Sequence, residues 1–365
     1  MKMIKVNLGR RSYPIITGRG VIKQLGRQIR LLNLGTDAYI ITNSSIKRRY
    51  GKAVGSSLVK EGINYSFRTI ADTEKSKSLS NCLRIVQDLA KFDRRKRTVV
   101  VAFGGGVVGD LSGFAASIYK RGVPYVQVPT TLLACVDSSI GGKTGVDLRF
   151  GKNLAGAFYQ PRLVVAELSF LKSLNSRQMR AGLSEVIKYA IIKDSSLFGY
   201  LEKNYRRLLS HNMTALEYVV KRCAQIKASI IGQDEREEKG IRTILNFGHT
   251  LGHAIESAGG YSRYNHGEAI ALGMILAACI SKRLELIDEA VLKRIEVLIE
   301  RAGLPVFIEK LPMKKILGAY YRDKKFIGKV NRFVLIKDIG RTLIKDNLAL
   351  GIIRDTLSGR MNPRI

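Results

Sequence analysis

Through the first 172 residues, short apolar runs alternate with amphipathic stretches. The segments "TDAYIITN" (36–43) and "TVVVAF" (98–103) are short, β-branched and bounded by polar residues or glycine, which predicts buried strands. "YVQVPTT" (125–131) and "LVVAEL" (163–168) predict two more. Flanking stretches, "GVIKQLGRQIRLL" and "LSNCLRIVQDLAKF", carry apolar residues at helical spacing. Strands alternating with helices predict an α/β layer on a parallel sheet. Beyond residue 172, "SRQMRAGLSEVIKYAIIKDSSLFGYLEKNY" and residues 213–233, 247–258, 267–284 and 286–303 all have helical periodicity. A closing "FVLIKDIGRTLIK" alternates like a hairpin. The pattern divides the chain into 1–172, an α/β domain, and 173–365, a mainly helical one, with no glycine–serine linker between them.

Composition narrows the picture. A length of 365 residues fits two domains, and 45% apolar residues suffice for packed cores. No apolar run reaches the roughly 18 residues of a membrane span. The start, "MKMIKVNLGRRSYPIITGRG", lacks a long apolar core and a small-residue cleavage site, so no signal peptide is expected. Cys82, Cys135, Cys223 and Cys279 are far apart with no C-x-x-C, which suits reduced thiols in a cytoplasmic protein. Against this ordinary background, 62 Lys+Arg face 30 Asp+Glu, a net charge of +32. Such a field favours anionic partners, either nucleic acid or a phosphorylated metabolite. The charge is spread along the chain, and its densest run, "DRRKR" (93–97), ends a predicted helix, where cations suit the helix dipole. There is no basic tail and no nucleic-acid module, so the expectation is either a generally basic background composition or an anionic metabolite, with no nucleic-acid or membrane partner.

Two glycine-rich segments could cradle an anion. In "FGGGVVGD" (103–110), Gly104, Gly106 and Gly109 fit G-x-G-x-x-G between a predicted strand and a helix, the setting in which backbone N–H groups approach a pyrophosphate. The usual fingerprint also has an acid about 20 residues on, and none stands there. "DSSIGGKTG" (137–145) contains Gly142-Lys143-Thr144, but a P-loop needs glycine where Asp137 stands, which disfavours a Walker-type NTPase. What remains is a glycine-rich turn carrying Lys143 and a second, "FGKNLAG", carrying Lys152 and Asn153. Both suit an anionic ligand, and both also read as ordinary solvated loops.

Three of the four histidines, His249, His253 and His266, fall within 18 residues. On a helix over 247–258, His249, His253 and Glu256 share one stripe. Catalytic zinc takes three N/O ligands and keeps a position open. Candidates are His249, His253, His266, Glu256, Glu268 and the distant Glu185, and spacing does not choose among them. Glu185 and Lys188, three apart in "GLSEVIKYAII", read either as a surface ion pair or as a ligand carboxylate in a helical wall.

Several stretches together resemble the 3-dehydroquinate synthase family: "GGGVVGDLSGFAASIYKRGVPYVQVPTTLLACVDSSIGGKTGVD", "GKNLAGAFYQP", "GLSEVIKYA", "DEREEKGIRTILNFGHTLGHAIE" and "NHGEAIALGM". They occur in the family's order, and the resemblance runs from about residue 60 to the end. It implies a Rossmann-like NAD-binding domain followed by a helical metal-binding domain, usually as a homodimer. The implied enzyme belongs to the shikimate pathway and converts 3-deoxy-D-arabino-heptulosonate 7-phosphate to 3-dehydroquinate and phosphate. Transient oxidation by NAD, β-elimination of phosphate, re-reduction and an intramolecular aldol give a lyase with no net redox. The implied metal is divalent, zinc ahead of cobalt, on Glu185, His249 and His266. Matching NAD positions are Asp72, Glu74, Lys77, Gly105, Gly106, Gly109, Asp110, Thr130, Thr131, Asp137, Lys143, Lys152 and Ser173. Matching substrate positions are Lys143, Lys152, Asn153, Lys188, Lys227, Arg242, Asn246 and His253, with Lys324 or Lys325 from "RDKK". His253 falls on the phosphate, and Arg121 resembles an arginine that reaches into the neighbouring subunit's site.

The chain departs from the family pattern at Asn43, where an acid often faces the cofactor ribose, at Ser173, where threonine is usual, and at Gln178, which replaces a common glutamate. Other readings are a sibling sugar phosphate cyclase such as 2-deoxy-scyllo-inosose synthase, a metal-dependent polyol dehydrogenase, and a basic nucleic-acid-binding protein. Arg242 favours the first-named family over its sibling, because guanidinium suits a substrate carboxylate.

Overall fold

The computed structural model describes residues 2–93, 97–326 and 331–361, the side chains of 323–326 excepted. The chain folds into two compact units, Met1–Asn175 with Leu216–Arg236, and Ser176–Ala215 with Glu237–Ile365. A single break at 172 therefore does not describe the division. The chain returns to the first unit with a helical segment, because Ala224, Ala228 and Ile231 pack with Val6, Tyr13, Ile15 and Val164.

The first unit contains β1 (Lys2–Val6), β2 (Tyr13–Gly18), α1 (Leu25–Leu31), β3 (Asp37–Asn43), α2 (Ser44–Val59), β4 (Asn64–Ile70), α3 (Leu79–Phe92), β5 (Thr98–Gly104), α4 (Gly106–Ile118), β6 (Tyr125–Pro129), β7 (Lys143–Leu148), β8 (Gly151–Phe158) and β9 (Leu163–Glu167). The seven-stranded sheet runs β1-β2-β9-β6-β5-β3-β4. Only β1, on the edge, is antiparallel to its neighbour. The apolar runs read from the sequence are the central strands, and their two faces feed two cores. Ile40, Val99, Val101 and Phe103 pack to one side, Tyr39, Ile41 and Val100 to the other. Burial on both faces is why these strands read as continuous apolar runs and do not alternate with polar residues.

The strand order reverses between β3 and β5, since β4 lies outside β3 and β6 outside β5. In open α/β sheets, ligands bind beyond the strand C-termini at such a switch point. Asn43 ends β3 and Gly104 ends β5.

Lys143, Lys152 and Asn153 are not on free loops, although the surrounding glycines suggest it. Lys143 opens β7, Lys152 and Asn153 lie in β8, and the two strands pair as an antiparallel hairpin. Two of the glycines serve close strand approach. A Cβ on Gly145 would lie 2.8 Å from Ala155 O, and one on Gly156 would lie 2.2 Å from Thr144 O.

The remaining elements are α5 (Ser176–Lys193), α6 (Ser195–Leu209), α7 (Met213–Gln233), α8 (His249–Ala258), α9 (His266–Arg283), α10 (Glu289–Arg301), α11 (Met313–Phe326), the hairpin β10 (Arg332–Asp338) and β11 (Arg341–Asp346), and α12 (Leu350–Ser358). The second unit is thus helical apart from the hairpin expected from "FVLIKDIGRTLIK". Leu251, Ile255, Leu272, Leu276, Ile316, Phe333 and Leu357 meet in its core. Among the described residues no helix is long and apolar enough to cross a membrane.

Candidate functional site

In the second unit, Glu185, His249 and His266 present ligand atoms that all lie within 4.8 Å of one another. Three glycines make this possible, two by close contact and one by its turn. A Cβ on Gly267 would sit 2.3 Å from Ala181 Cα, so α9 approaches α5 closely beside His266 and near Glu185. A Cβ on Gly273 would sit 1.9 Å from Gly248 O, which draws α8 onto α9. Gly248 itself has φ 76° and turns the chain into α8, so that His249 is the first helical residue. Asn265 caps α9 through the Glu268 N–H at 2.9 Å, and the Glu268 side chain closes the capping box. His266 is the residue so fixed at the head of α9.

Each imidazole is oriented by a second contact. Nδ1 of His249 lies 3.1 Å from Phe247 O. A carbonyl only accepts, so Nδ1 is the protonated nitrogen and Nε2 keeps its lone pair. That Nε2 lies 3.8 Å from Glu185 Oε1. Nε2 of His266 lies 3.4 Å from the same oxygen, and its Nδ1 lies 3.6 Å from Oε2 of the buried Glu256. Burial, then the neighbouring Lys188 ammonium, hold the His249 imidazole well below its ordinary pKa. Burial also opposes charge on His266, but Glu185 and Glu256 outweigh it and raise that ring to about 9. Two carboxylates converging on the half-buried His266 imidazole make an environment that a cation satisfies. Two nitrogens and a carboxylate oxygen are donors that zinc and cobalt accept.

Glu185 and Lys188 are not a surface pair. Lys188 Nζ lies 2.5 Å from Glu185 Oε2, with side chains 2% and 1% exposed. The two other candidate acids separate. Glu256 forms a second possible group with His253 and His266. Glu268 is committed elsewhere, because Arg177 grips its carboxylate at 2.9 and 2.8 Å and the Asn265 N–H donates to it at 2.9 Å. His253 is exposed, its ring edge-on to His249 with centroids 5.2 Å apart. Arg242 and Asn246 bound one short 3-10 helix. Arg242 is buried, and Asn246 donates to Glu237 at 2.7 Å. Lys324 and Lys325 have side chains outside the described residues.

In the first unit, the glycine-rich turn begins α4. Gly105 is its N-cap and offers no side-chain acceptor to the first-turn N–H groups. A Cβ there would lie 3.2 Å from Thr131, and one on Gly106 would lie 3.3 Å from Ser138 Oγ. On Gly109 it would lie 2.9 Å from Gln127 Oε1, so that glycine serves helix-on-strand packing. A bare helix N-terminus at the switch point fits a dinucleotide's phosphates. Nearby, Lys77 donates to Asp110 at 2.5 Å and also to Asn153 Oδ1. Burial works against its charge, yet Asp110 outweighs that and holds the ammonium above its ordinary pKa. Lys152 pairs with Glu74 at 3.0 Å. Lys227, on α7, donates to Asp137 O at 2.8 Å and Oδ1 at 2.7 Å. Asp72 and Lys143 are exposed, and the buried Thr130 donates its N–H to Gly104 O at 3.0 Å. Thr131 Oγ1 accepts from Ala134 N at 3.1 Å. Asn43 caps α2 through Ile46 N at 2.8 Å, and Ser173 donates to Phe170 O at 3.0 Å. Asp147, which no sequence motif singles out, receives the Asn153 N–H at 2.9 Å and supports its left-handed conformation (φ 58°). Only the pairing of β7 with β8 reveals it.

A bare helix N-terminus at a sheet switch point and a cluster of two histidines and a carboxylate fit a dinucleotide- and metal-dependent α/β enzyme. Residues 67–181 match the family model for the 3-dehydroquinate synthase N-terminal region, and residues 182–326 match that for its C-terminal region. The chain belongs to the 3-dehydroquinate synthase family. It is 43% identical over 359 residues to 3-dehydroquinate synthase of Pelotomaculum thermopropionicum, covering 98% of this chain and 96% of the relative. The enzyme of the same name from Acidithiobacillus ferrooxidans is 44% identical over 361 residues, 99% of each. Among solved structures, a 2-deoxy-scyllo-inosose synthase complexed with carbaglucose-6-phosphate, NAD+ and Co2+ is 26% identical, with a TM-score of 0.89 over 99% of this chain and 100% of that one. The 2-epi-5-epi-valiolone synthase of Streptomyces hygroscopicus, with NAD+ and Zn2+ bound, is 27% identical, with a TM-score of 0.86 over 95% and 96%.

Proposed function

We propose that this chain converts 3-deoxy-D-arabino-heptulosonate 7-phosphate to 3-dehydroquinate and inorganic phosphate. It acts as a carbon–oxygen lyase, with NAD and a divalent metal, zinc ahead of cobalt, in a cytoplasmic homodimer. The observation that carries the reading is the Glu185–His249–His266 cluster, in a chain 43–45% identical to curated 3-dehydroquinate synthases over nearly its whole length. The cyclases solved with NAD+ and Co2+ or Zn2+ support the cofactors.

When bound, NAD supplies a hydride acceptor restored within each turnover, and the metal a Lewis acid beside the alcohol being oxidised. The chain's own residues do the rest. Phe247 O and Glu256 hold the two imidazoles by their Nδ1 atoms, so that Nε2 is the ligand atom in each. Oxidation at C5 acidifies the C6 proton. That proton passes to the phosphate as the C7–O bond breaks, leaving a C6–C7 double bond. Such a step needs cationic donors around the phosphate more than a dedicated base. In the second unit, Lys188 and His253 take that role, Asn246 adds a neutral amide donor, and Arg242 binds the carboxylate. In the first unit, the family resemblance assigns Lys143, Lys152, Asn153 and Lys227 to the substrate and the turn at Gly105–Gly106 to the dinucleotide. Lys324 or Lys325 joins them, and Arg121 serves the second copy's site.

The decisive assay incubates the purified protein with NAD+, zinc and the heptulosonate phosphate. Phosphate should be released without NADH accumulating. Lasting NADH would favour a polyol dehydrogenase. Failure on this substrate with turnover of glucose 6-phosphate would favour the sibling cyclase.

A further inference from the structure

Asp93 follows α3, and its side chain is 3% exposed. Three donors converge on its carboxylate: Thr98 Oγ1 at 2.5 Å, Tyr119 OH at 3.0 Å and Lys120 Nζ. Two of them come from the short turn Tyr119–Arg121 that ends α4. In that turn, Lys120 (φ 49°, ψ 31°) and Arg121 (φ 61°) are consecutive left-handed residues, neither of them glycine. Such a pair persists only where its surroundings over-determine it. The other side of the turn is fixed as well. Gly122 has φ 121°, its Cβ position lies 3.0 Å from Tyr159 OH, and Tyr159 OH donates to Val123 O at 2.8 Å. Arg121 is exposed and makes no hydrogen bond or ion pair with the described residues. Among the described residues nothing uses the guanidinium, yet the backbone beneath it is held in a left-handed shape.

We propose that Asp93 is a positioning residue for Arg121: by gripping Tyr119 and Lys120 it locks the left-handed turn that aims Arg121 out of its own chain and into the second copy's site. This rests on the reading above in which Arg121 acts across the dimer. Asp93 touches neither substrate nor cofactor, and its effect on turnover appears in the partner's site.

Subunit complementation tests this. Asp93→Asn homodimers should lose at least tenfold in kcat with NAD affinity unchanged. The double variant Asp93→Asn/Arg121→Ala should be no slower than Arg121→Ala alone, because both changes remove one device. Heterodimers are then made by co-expressing differently tagged chains, one Asp93→Asn and the other His253→Ala. The second chain has a dead site but an intact Arg121. The site of the Asp93→Asn protomer should regain about half the wild-type dimer's rate, which a general folding defect would not allow. Lys120→Met, which removes one exposed tether, should give a smaller loss rescued in the same way and serves if Asp93→Asn folds poorly. The control pairs Arg121→Ala with His253→Ala. If the control is rescued and neither the Asp93 nor the Lys120 variant is, the proposal is overturned and the dimer reading stands. If the control itself is not rescued, Arg121 does not act across the dimer, and both fall.

Discussion

Nε2 of His266 and Oε1 of Glu185 lie 3.4 Å apart, although the two residues open α9 and sit midway along α5. The same oxygen faces His249 Nε2, so the nearest sequence pair, His249 and His253, is not the pair that converges on Glu185. His249→Ala, His266→Ala and Glu185→Ala should each purify with little metal. His253→Ala should keep its metal and lose turnover. Metal analysis of the four proteins decides it, and metal loss from His253→Ala would instead support the group made with Glu256.

The cap of α9 should be felt at the same centre. Removing an N-cap side chain costs about 1 kcal/mol. Asn265→Ala should lose that much in urea unfolding and also bind metal several-fold more weakly, because His266 is the next residue. Asn265→Asp keeps an acceptor and should restore both. A variant with lower stability and unchanged metal affinity would show that the helix start does not set the ligand.

Lys77 is the only cation the structure places on Asp110 among the described residues, and its side chain is 6% exposed. Removing one partner of a buried pair costs about 3–5 kcal/mol. Asp110 is 20% exposed, so the lower end is expected for Lys77→Met. NAD binding should weaken in parallel, measured by fluorescence titration. Lys77→Met/Asp110→Asn should recover part of the stability, since no charge is then left unpaired.

Asp93 gives a pH dependence with a definite sign. Burial opposes its charge, but the bonds from Lys120, Thr98 and Tyr119 outweigh it and hold the carboxyl below its ordinary pKa. A depressed pKa contributes stability that is complete above the unfolded value, near ~3.9, and fades as pH falls through the folded one. Asp93→Asn should therefore cost about 1–3 kcal/mol at pH 7. The gap from wild type should narrow steadily in unfolding curves taken below pH 4. A constant gap would mean that ionisation of Asp93 is not what stabilises the turn.

Much of the fold is legible in the sequence because its signals are local. β3, β5, β6 and β9 are compact apolar runs, α3 coincides with its periodic stretch, and the closing hairpin alternates as hairpins do. The candidate metal cluster is legible as three histidines and several acids, but spacing does not rank the acids. The resemblance implies Glu185, and the structure shows why it meets the histidines: helices approach at glycines whose role appears only in three dimensions. The hairpin carrying Lys143 and Asn153 reads as loops in the sequence because its glycines resemble turn residues, when two of them serve strand contact. Asp93 reads only as the start of a basic run, since its three donors come from other segments.

Gly267 brings these arguments to one atom. A methyl group there would meet Ala181 Cα at 2.3 Å, and that neighbour is backbone of a packed helix, so α9 must move away from α5. Overpacking of this kind costs about 1–3 kcal/mol. The displacement also separates His266 from Glu185, whose positions on the two helices depend on that approach. Gly267→Ala should therefore lower the unfolding midpoint and lose metal affinity by a larger factor than Asn265→Ala. Gly351→Ala, at a helical glycine with nothing within 4 Å of its Cβ position, should do neither. Isothermal titration of the three variants with zinc tests the order. Full affinity in Gly267→Ala would mean that the ligands tolerate the shift and that helix approach is not what selects Glu185.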